Sequence, residues 1–330
     1  MFAKRISYLT GAILVLIFAC IASVMFGARD IPFSDVLAAF AGESETVNQA
    51  AAALRIPRTL LAVVIGAALA VSGLAMQAVT RNPLADPGIF GVLAGASLFV
   101  VTGITFFDLH SQFSTMLVAI AGSFTAAIFV YFVGSLGPGG VTNLKLALAG
   151  AATAAALSSF SAAILLPRVD VMDKFRFWQI GSVGGAQWEQ ILAGLPLFAV
   201  GFALAIGTAT GMNALALGDD LAQGLGVSVG VQRLLASLSA VILAGTATAL
   251  AGPIGFLGLI VPHFCRLLLG SDYRWLIPAT AISGGSLLVI ADTVGRVINR
   301  PAEVAVGVLL PILGAPIFMY IVRRQKVREL

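Results

Sequence analysis

Long runs of residues without a charge recur along the whole chain and are its most regular feature. A helix that crosses a lipid bilayer needs about 20 mainly apolar residues, so each such run is a candidate crossing. Nine runs cover residues 6–28, 59–80, 87–107, 111–144, 146–167, 190–218, 234–265, 275–291 and 304–322. Their number and length predict a protein built almost entirely from membrane-spanning segments.

Two of these runs are too long for a single crossing, and glycine and proline divide them. In the run 111–144 the turn signal Gly-Pro-Gly-Gly at 137–140 lies near the end, which predicts one helix followed by a loop. In the run 234–265 a Gly-Pro pair at 252–253 lies near the middle, which predicts two shorter helices. The pattern therefore predicts ten spans.

Composition excludes a water-soluble fold. Hydrophobic residues make up 59% of the 330 residues and charged residues 10%, and the mean hydropathy is +1.02, so a bilayer must be the solvent. Strict alternation of apolar and polar positions is absent, and 36 glycines favour close-packed helices over a β-barrel. The predicted fold class is all-α: a polytopic membrane helical bundle of about ten transmembrane helices in a single domain, 1–330.

Basic residues between the spans predict the orientation. Ten spans put both termini on one side, and the basic stretches at 4–5 and 323–328 place that side in the cytoplasm by the positive-inside rule. Of the Lys and Arg residues, 11 then fall inside and 8 outside. The large outward number indicates that something acidic meets that face, although single arginines can also anchor helix ends in headgroups. We predict a multi-pass protein of the cytoplasmic (inner) membrane, surrounded by lipid, with both termini cytoplasmic.

Two connections are long enough to have structure of their own. The outward segment 27–56 has acidic residues around the apolar stretch 36–40 and predicts an interfacial amphipathic helix. The inward segment 211–231 is the longest predicted cytoplasmic insertion, with short helical pieces punctuated by glycines that include Gly218, Gly224 and Gly226.

Segment 211–231 has the features of a docking element. Asp219 and Asp220 are placed to cap a short helix, and Leu221, Ala222 and Leu225 would then project to one side. We interpret the segment as a knob that docks into another protein. A re-entrant or merely solvated loop is the alternative.

Motifs for catalysis are missing from the chain. There is no Walker-type glycine loop and no HExxH, GxSxG or CxxC arrangement, and the only imidazoles are those of His110 and His263. Cys20 and Cys265 lie in apolar segments without metal-ligand or redox spacing. We therefore predict no catalytic residue, no metal site, no cofactor and no nucleic-acid partner.

A translocation pore whose energy is supplied by another protein fits these features best. The span centres carry almost none of the charges that a proton or sodium relay needs, and no ring of charges or TVGYG-like filter is present. An internal similarity between 58–62 and 233–236, at the starts of the second and seventh spans, is of the kind seen in the inverted repeats of transporters. An ion-coupled secondary transporter or channel, and a membrane-embedded enzyme, remain as rival interpretations.

Five motifs give the chain a resemblance to a known family. They are Arg-Ile-Pro-Arg-Thr-Leu at 55–60, Arg-Asn-Pro-Leu-Ala-Asp-Pro at 81–87, Phe-Trp-Gln-Ile-Gly-Ser at 177–182, Gly-Pro-Ile to Pro-His at 252–263, and Ala291-Asp292 with Arg296. Together they resemble the FecCD-type permeases of iron-siderophore, haem and cobalamin ABC importers, over nearly the whole chain.

This resemblance implies a function and a set of partners. The expected assembly contains two permease subunits, as a homodimer or a pseudo-symmetric heterodimer with the translocation path at their interface. Two cytoplasmic ATP-binding subunits and an extracytoplasmic substrate-binding protein complete it. ATP hydrolysis is expected in the separate ATPase subunits, so this chain is a transport subunit and not an enzyme. A ferric siderophore is the expected substrate, with haem or cobalamin as alternatives.

The resemblance also assigns roles to particular residues. Arg55, Arg58 and Arg296 match outward arginines that receive acidic residues of the binding protein. The coupling to the ATPase is expected from Gly218, Asp219, Asp220, Leu221, Leu225 and Gly226. Residues near the cytoplasmic gate are expected to be Asn82, Leu84, Asn143 and Leu144.

Overall fold

The computed structural model describes residues 2–109, 111–136 and 142–324. His110, the turn signal at 137–140 and the basic tail beyond residue 324 lie outside the described residues. Over the described part the chain forms fourteen α-helices, one 3-10 helix and no strand. The helices are α1 (Phe2–Met25), α2 (Phe33–Phe40), α3 (Val47–Thr80), the 3-10 helix (Pro87–Phe90), α4 (Val92–Phe106), α5 (Gln112–Ser135), α6 (Asn143–Leu165), α7 (Val169–Gln179), α8 (Trp188–Gly207), α9 (Ala209–Leu215), α10 (Asp219–Gly224), α11 (Val229–Ala251), α12 (Leu257–Leu269), α13 (Tyr273–Val297) and α14 (Val306–Arg324).

Ten of the described helices are apolar and correspond to the ten predicted spans. Seven are long enough to cross a bilayer, namely α1, α3, α5, α6, α8, α11 and α13, and three are shorter, namely α4, α12 and the first part of α14. The predicted Gly-Pro break is confirmed, because α11 ends at Ala251 and α12 begins at Leu257. The prediction of an all-α membrane bundle is confirmed.

The bundle has two faces, which are defined by where its helices begin and end. We call the end at which α1 begins and α14 ends the terminal face; α3 ends and α11 begins there as well. We call the opposite end the far face. Contacts between distant parts of the chain agree with this arrangement: Arg5 of α1 pairs with Asp272 before α13 at the terminal face, and Arg296 of α13 reaches Phe26 after α1 at the far face.

Helices α3 and α11 form the centre of the bundle and are the two most buried of the seven long spans. The two segments that the sequence repeat pairs, 58–62 and 233–236, lie on these two helices. Helix α3 packs closely on its neighbours through glycine: a Cβ built at Gly66 would overlap the carbonyl oxygen of Gly284 in α13, and one built at Gly73 would overlap that of Gly258 in α12. Small residues allow such close backbone approach between membrane helices.

The outward segment differs in part from its prediction. Helix α2 buries Val36 and Ala39 and exposes its other side, as an amphipathic helix does. Residues 47–56, however, extend α3 and do not belong to a separate surface helix. A capping box between Thr46 and Gln49 starts α3 ahead of the apolar run and explains the difference.

Candidate functional site

The three arginines predicted to receive a binding protein lie together at the far face. Arg58 donates to the carboxylate of Asp292 at 3.0 Å from Nε to Oδ2 and 2.8 Å from Nη2 to Oδ1. Arg296, one turn after Asp292 in α13, has its Nε 3.1 Å from Oδ2 of the same carboxylate. One carboxylate, only 3% exposed, therefore holds two guanidinium groups.

Other donors of these arginines bind the C-terminal end of α1. Arg55 donates from Nη1 to the carbonyl oxygens of Val24 at 3.0 Å and Met25 at 3.2 Å. Arg296 donates from its own Nη1 to the carbonyl oxygen of Phe26 at 3.0 Å. Carbonyls at a helix C-terminus lack intrahelical partners and carry partial negative charge, so cations stabilise them. The cluster therefore joins α1, α3 and α13.

Sequence reasoning missed the acidic partners of this cluster. Asp292 was singled out only as part of a motif, although its spacing of four residues from Arg296 is typical of a helical ion pair. Glu303 accepts from Nη1 of Arg58 at 2.8 Å, across 245 positions of sequence, and no local pattern indicates it. A further pair joins Arg300 to Asp30 at 2.6 Å.

The three arginines differ in the fraction of their surface that is exposed to solvent. Arg296 is 1% exposed, the side chain of Arg58 is 14% exposed, and Arg55 is half-buried. Each of them is bound by acceptors within the chain. Their first role in this conformation is therefore to hold the far face together.

On the terminal face, segment 211–231 contains α9 and α10. Leu221 is 61% exposed and Leu225 65% exposed, and Leu217, four residues before Leu221, is exposed as well. We call these three residues the leucine ridge. Ala222 is instead fully buried in a small apolar cluster with Leu215, so its predicted position beside the leucines is wrong. The buried side of α10 fixes the leucine ridge outward.

Asp219 does not cap α10 as predicted but joins three parts of the terminal face. The N-cap is Gly218, with φ 111° and no side-chain cap, and Asp219 and Asp220 lie in the first turn. The carboxylate of Asp219 lies 3.3 Å from Nη2 of Arg81 and 3.1 Å from Nη2 of Arg233. Arg81 ends α3 and Arg233 lies near the start of α11, so these two arginines draw the carboxylate away from the cap position.

Both ends of segment 211–231 are defined by local contacts. Asn213 donates to Asp272 at 2.9 Å and accepts from the backbone N–H of Tyr273 at 2.9 Å, which fastens α9 to the start of α13. Burial alone raises the pKa of Asp272, but hydrogen bonds from Asn213 and Arg274 outweigh it, so the pKa lies below its usual value. At the other end Gly226, with φ 78°, turns the chain toward α11.

The predicted gate residues lie at the terminal face, two on the connection that follows α3 and two at the start of α6. The backbone N–H of Leu84 donates to Oδ1 of Asn82 at 2.9 Å, in a turn that leads to the 3-10 helix. That 3-10 helix packs on α6, which begins at Asn143. Leu84 and Leu144 are exposed, while the side chain of Asn143 lies outside the described part of the structure. The two gate segments are thus brought to the same face.

Metal-ligating side chains are dispersed. Among the described residues, no three His, Cys, Asp or Glu side chains lie close enough to hold a metal ion together. Both cysteines are free thiols; Cys265 is buried and Cys20 partly buried.

Comparison with known proteins gives consistent matches over the whole length. The FecCD transport family matches residues 15–324. A Bacillus subtilis (strain 168) protein named "Probable siderophore transport system permease protein YfiZ" is 42% identical over 314 residues, covering 94% of each chain. The ferric enterobactin transport system permease protein FepD of Escherichia coli (strain K12) is 40% identical over 316 residues, covering 96% of this chain and 94% of that one.

A solved structure has the same fold. A metal-chelate type ABC transporter in an inward-facing conformation superimposes with a TM-score of 0.84 at 26% identity, covering 97% of this chain and 100% of the other.

Proposed function

The chain belongs to the FecCD transport family, and we propose that the permease subunit it forms carries a ferric siderophore from a binding protein into the cytoplasm. The observation that supports this best is the extent of the similarity to relatives named for siderophore and ferric enterobactin transport, at 42% and 40% identity. Since a chelator surrounds its iron, such a substrate requires no metal ligands from the permease. Haem or cobalamin is the alternative cargo of the same family.

The permease works as part of an ATP-driven assembly. Two ATP-binding subunits hydrolyse ATP on the cytoplasmic side, an extracytoplasmic binding protein delivers the substrate, and a second permease subunit, identical or not, completes the pathway. The terminal face is cytoplasmic and the far face extracytoplasmic, as the basic residues of the chain favour.

Coupling to the ATPase occurs at segment 211–231. The leucine ridge is an exposed apolar strip formed by α10 and the residues on either side of it, suited to a groove in a partner. Gly218 and Gly226 shape the turns around α10, and Asp220 adds negative charge to its first turn. Because Asp219 links α10 to Arg81 after α3 and to Arg233 in α11, a shift of α10 reaches the two central helices directly.

Docking of the binding protein occurs at the far face. Arg58 presents a guanidinium that is 14% exposed, and the half-buried Arg55 lies one turn before it in α3. Arg55 and Arg296 also hold the end of α1 in place. Opposite charges across such a rim chiefly set register and association rate.

The cytoplasmic gate is formed at the terminal face by the connection that follows α3 and by the start of α6. Leu84 and Leu144 supply its apolar part, and Asn82 stabilises the turn that carries Leu84. Asn143, at the start of α6, completes this set of residues.

The test is uptake of labelled ferric siderophores, haem and cobalamin by cells with and without this subunit. We expect loss of uptake for one class of ferric siderophore when the subunit is removed. Loss of haem or cobalamin uptake alone would replace the proposed substrate by that one. Uptake that persists in vesicles without ATP or the ATPase subunits would favour an ion-coupled transporter instead.

A further inference from the structure

Glu303, on the connection between α13 and α14, is the surface partner of Arg58. Its Oε2 accepts from Nη1 of Arg58 at 2.8 Å, and its side chain is 42% exposed. Asp292, which is almost fully buried, binds the other two donor nitrogens of the same guanidinium. Arg58 is thus held by a buried carboxylate through Nε and Nη2 and by a surface carboxylate through Nη1.

This arrangement distinguishes Arg58 from the other two far-face arginines. Arg296 is enclosed by Asp292, the carbonyl oxygen of Phe26 and the hydroxyl of Ser23. Arg55 binds the carbonyl oxygens of Val24 and Met25. Within the described part of the chain, Arg58 alone of the three has an acceptor that is itself a surface acid.

We propose that Glu303 occupies, in the undocked permease, the position on Arg58 that an acidic residue of the binding protein takes on docking. This inference rests on the docking role of Arg58 in the proposed function. An incoming carboxylate makes the same charge-assisted bond to Nη1, while Asp292 keeps its bonds to Nε and Nη2. Glu303 therefore competes with the partner and weakens docking.

The exchange requires little rearrangement. An exposed ion pair changes an equilibrium constant by only about two- to fivefold, because water solvates both of its groups once they separate. The backbone beside Glu303 is fixed independently: the N–H of Val304 donates to the carbonyl oxygen of Gly295 at 2.9 Å. Removing the carboxylate therefore frees Nη1 of Arg58 while the connection stays in place.

The experiment measures docking to the assembled transporter in nanodiscs. The probes are the purified iron-chelate-binding proteins of the same genome, tested against the wild type, Glu303→Gln and Glu189→Gln. Glu189 is an exposed acid in the first turn of α8, also at the far face, so its substitution makes the same change in net charge without releasing Arg58. We expect Glu303→Gln to lower the Kd by about two- to fivefold, with no such change for Glu189→Gln.

The possible results separate failure of the competition by Glu303 from failure of docking itself. Equal effects of the two substitutions would show that only long-range charge matters, and unchanged or weaker docking of Glu303→Gln would also overturn the competition. Either result leaves the docking role of the far face intact. If the wild type binds none of the probes, docking itself fails, and this inference fails with it.

Discussion

Asp292 is the residue on which the far-face cluster depends most. Its carboxylate is nearly inaccessible to water and is shared by Arg58 and Arg296. Removing one partner of a buried ion pair costs about 3–5 kcal/mol, because the remaining charge stays buried without compensation. An exposed pair contributes about 0–1 kcal/mol by comparison. This difference in free energy distinguishes Asp292, which is expected to stabilise the fold, from Glu303, which is proposed to give way to an acid of the binding protein.

Substituting Asp292→Asn is therefore expected to destabilise the protein by about 3–5 kcal/mol, since the buried guanidinium of Arg296 and the largely buried one of Arg58 lose their shared anion. Unfolding of the detergent-solubilised protein by denaturant measures the effect. Asp173→Asn serves as the control, because Asp173 pairs with Arg176 at the surface, where both side chains are 65% exposed. A loss as small as that of the control would contradict the structural role of Asp292.

Helices α3 and α11 are the buried elements that connect the two faces at the centre of the bundle. At the far face α3 carries Arg55 and Arg58, and at the terminal face it ends beside Arg81, which Asp219 joins to α11. The packing of α3 on α12 and α13 is close enough that glycine is required at those crossings. Two predictions concern these elements, one on helix crossing and one on the link to α10.

Gly73→Ala is expected to destabilise the bundle by about 1–3 kcal/mol, because the added methyl group overlaps the backbone of α12 at Gly258. Gly11→Ala in α1 is the matched control, since nothing lies within 4 Å of a Cβ at that position. Thermal unfolding of the two variants gives the comparison. Equal stability of the two would disprove the close crossing of α3 and α12.

Asp219→Asn is expected to lower uptake per ATP hydrolysed by about 2- to 30-fold, because it removes the anionic link between α10 and the central helices. Gln223→Ala, at an exposed position of the same helix that is assigned no role in coupling, should leave the ratio unchanged. Transport and ATPase activity are measured together in proteoliposomes at equal amounts of assembled complex. Loss of the ATPase subunits from the complex would argue against the role of Asp219 in linking α10 to the central helices. The same uptake per ATP hydrolysed in both variants would argue against it as well.

At the scale of the whole molecule, the two faces carry different chemistry. The far face has arginines bound to carboxylates and to the end of α1. The terminal face has the exposed leucine ridge and the carboxylate of Asp219, which pairs with two arginines. An importer that takes substrate from an external binding protein and energy from cytoplasmic ATPase subunits requires a docking surface on each side of the membrane. The proposed orientation assigns the far face to the binding protein and the terminal face to the ATPase.

Single cysteines test that orientation, in a chain whose Cys20 and Cys265 are replaced. A cysteine at Glu43, before α3, should react with a membrane-impermeant maleimide on intact protoplasts, because the positive-inside rule places the far face outside. A cysteine at Asp220 should react only when the reagent reaches the cytoplasmic side. Reversed labelling would invert the orientation and with it both docking assignments.

The sequence by itself determined the fold class, the ten spans and the family. Apolar runs and their Gly-Pro breaks are local properties, since the length of one crossing and the disruption of one helix depend on neighbouring residues. The exposure of Leu221 and Leu225 also followed from local spacing, whereas the burial of Ala222 beside them required the packed structure.

Only the tertiary structure decided how the charged residues are used. The pair between Arg58 and Asp292 spans 234 positions, and Asp219 reaches Arg81 across 138. Such partners are chosen by helix packing, which brings together residues that no local pattern relates. For this reason the sequence could identify Arg55, Arg58 and Arg296 as a set, while their burial and their bonds within the chain emerged only from the fold.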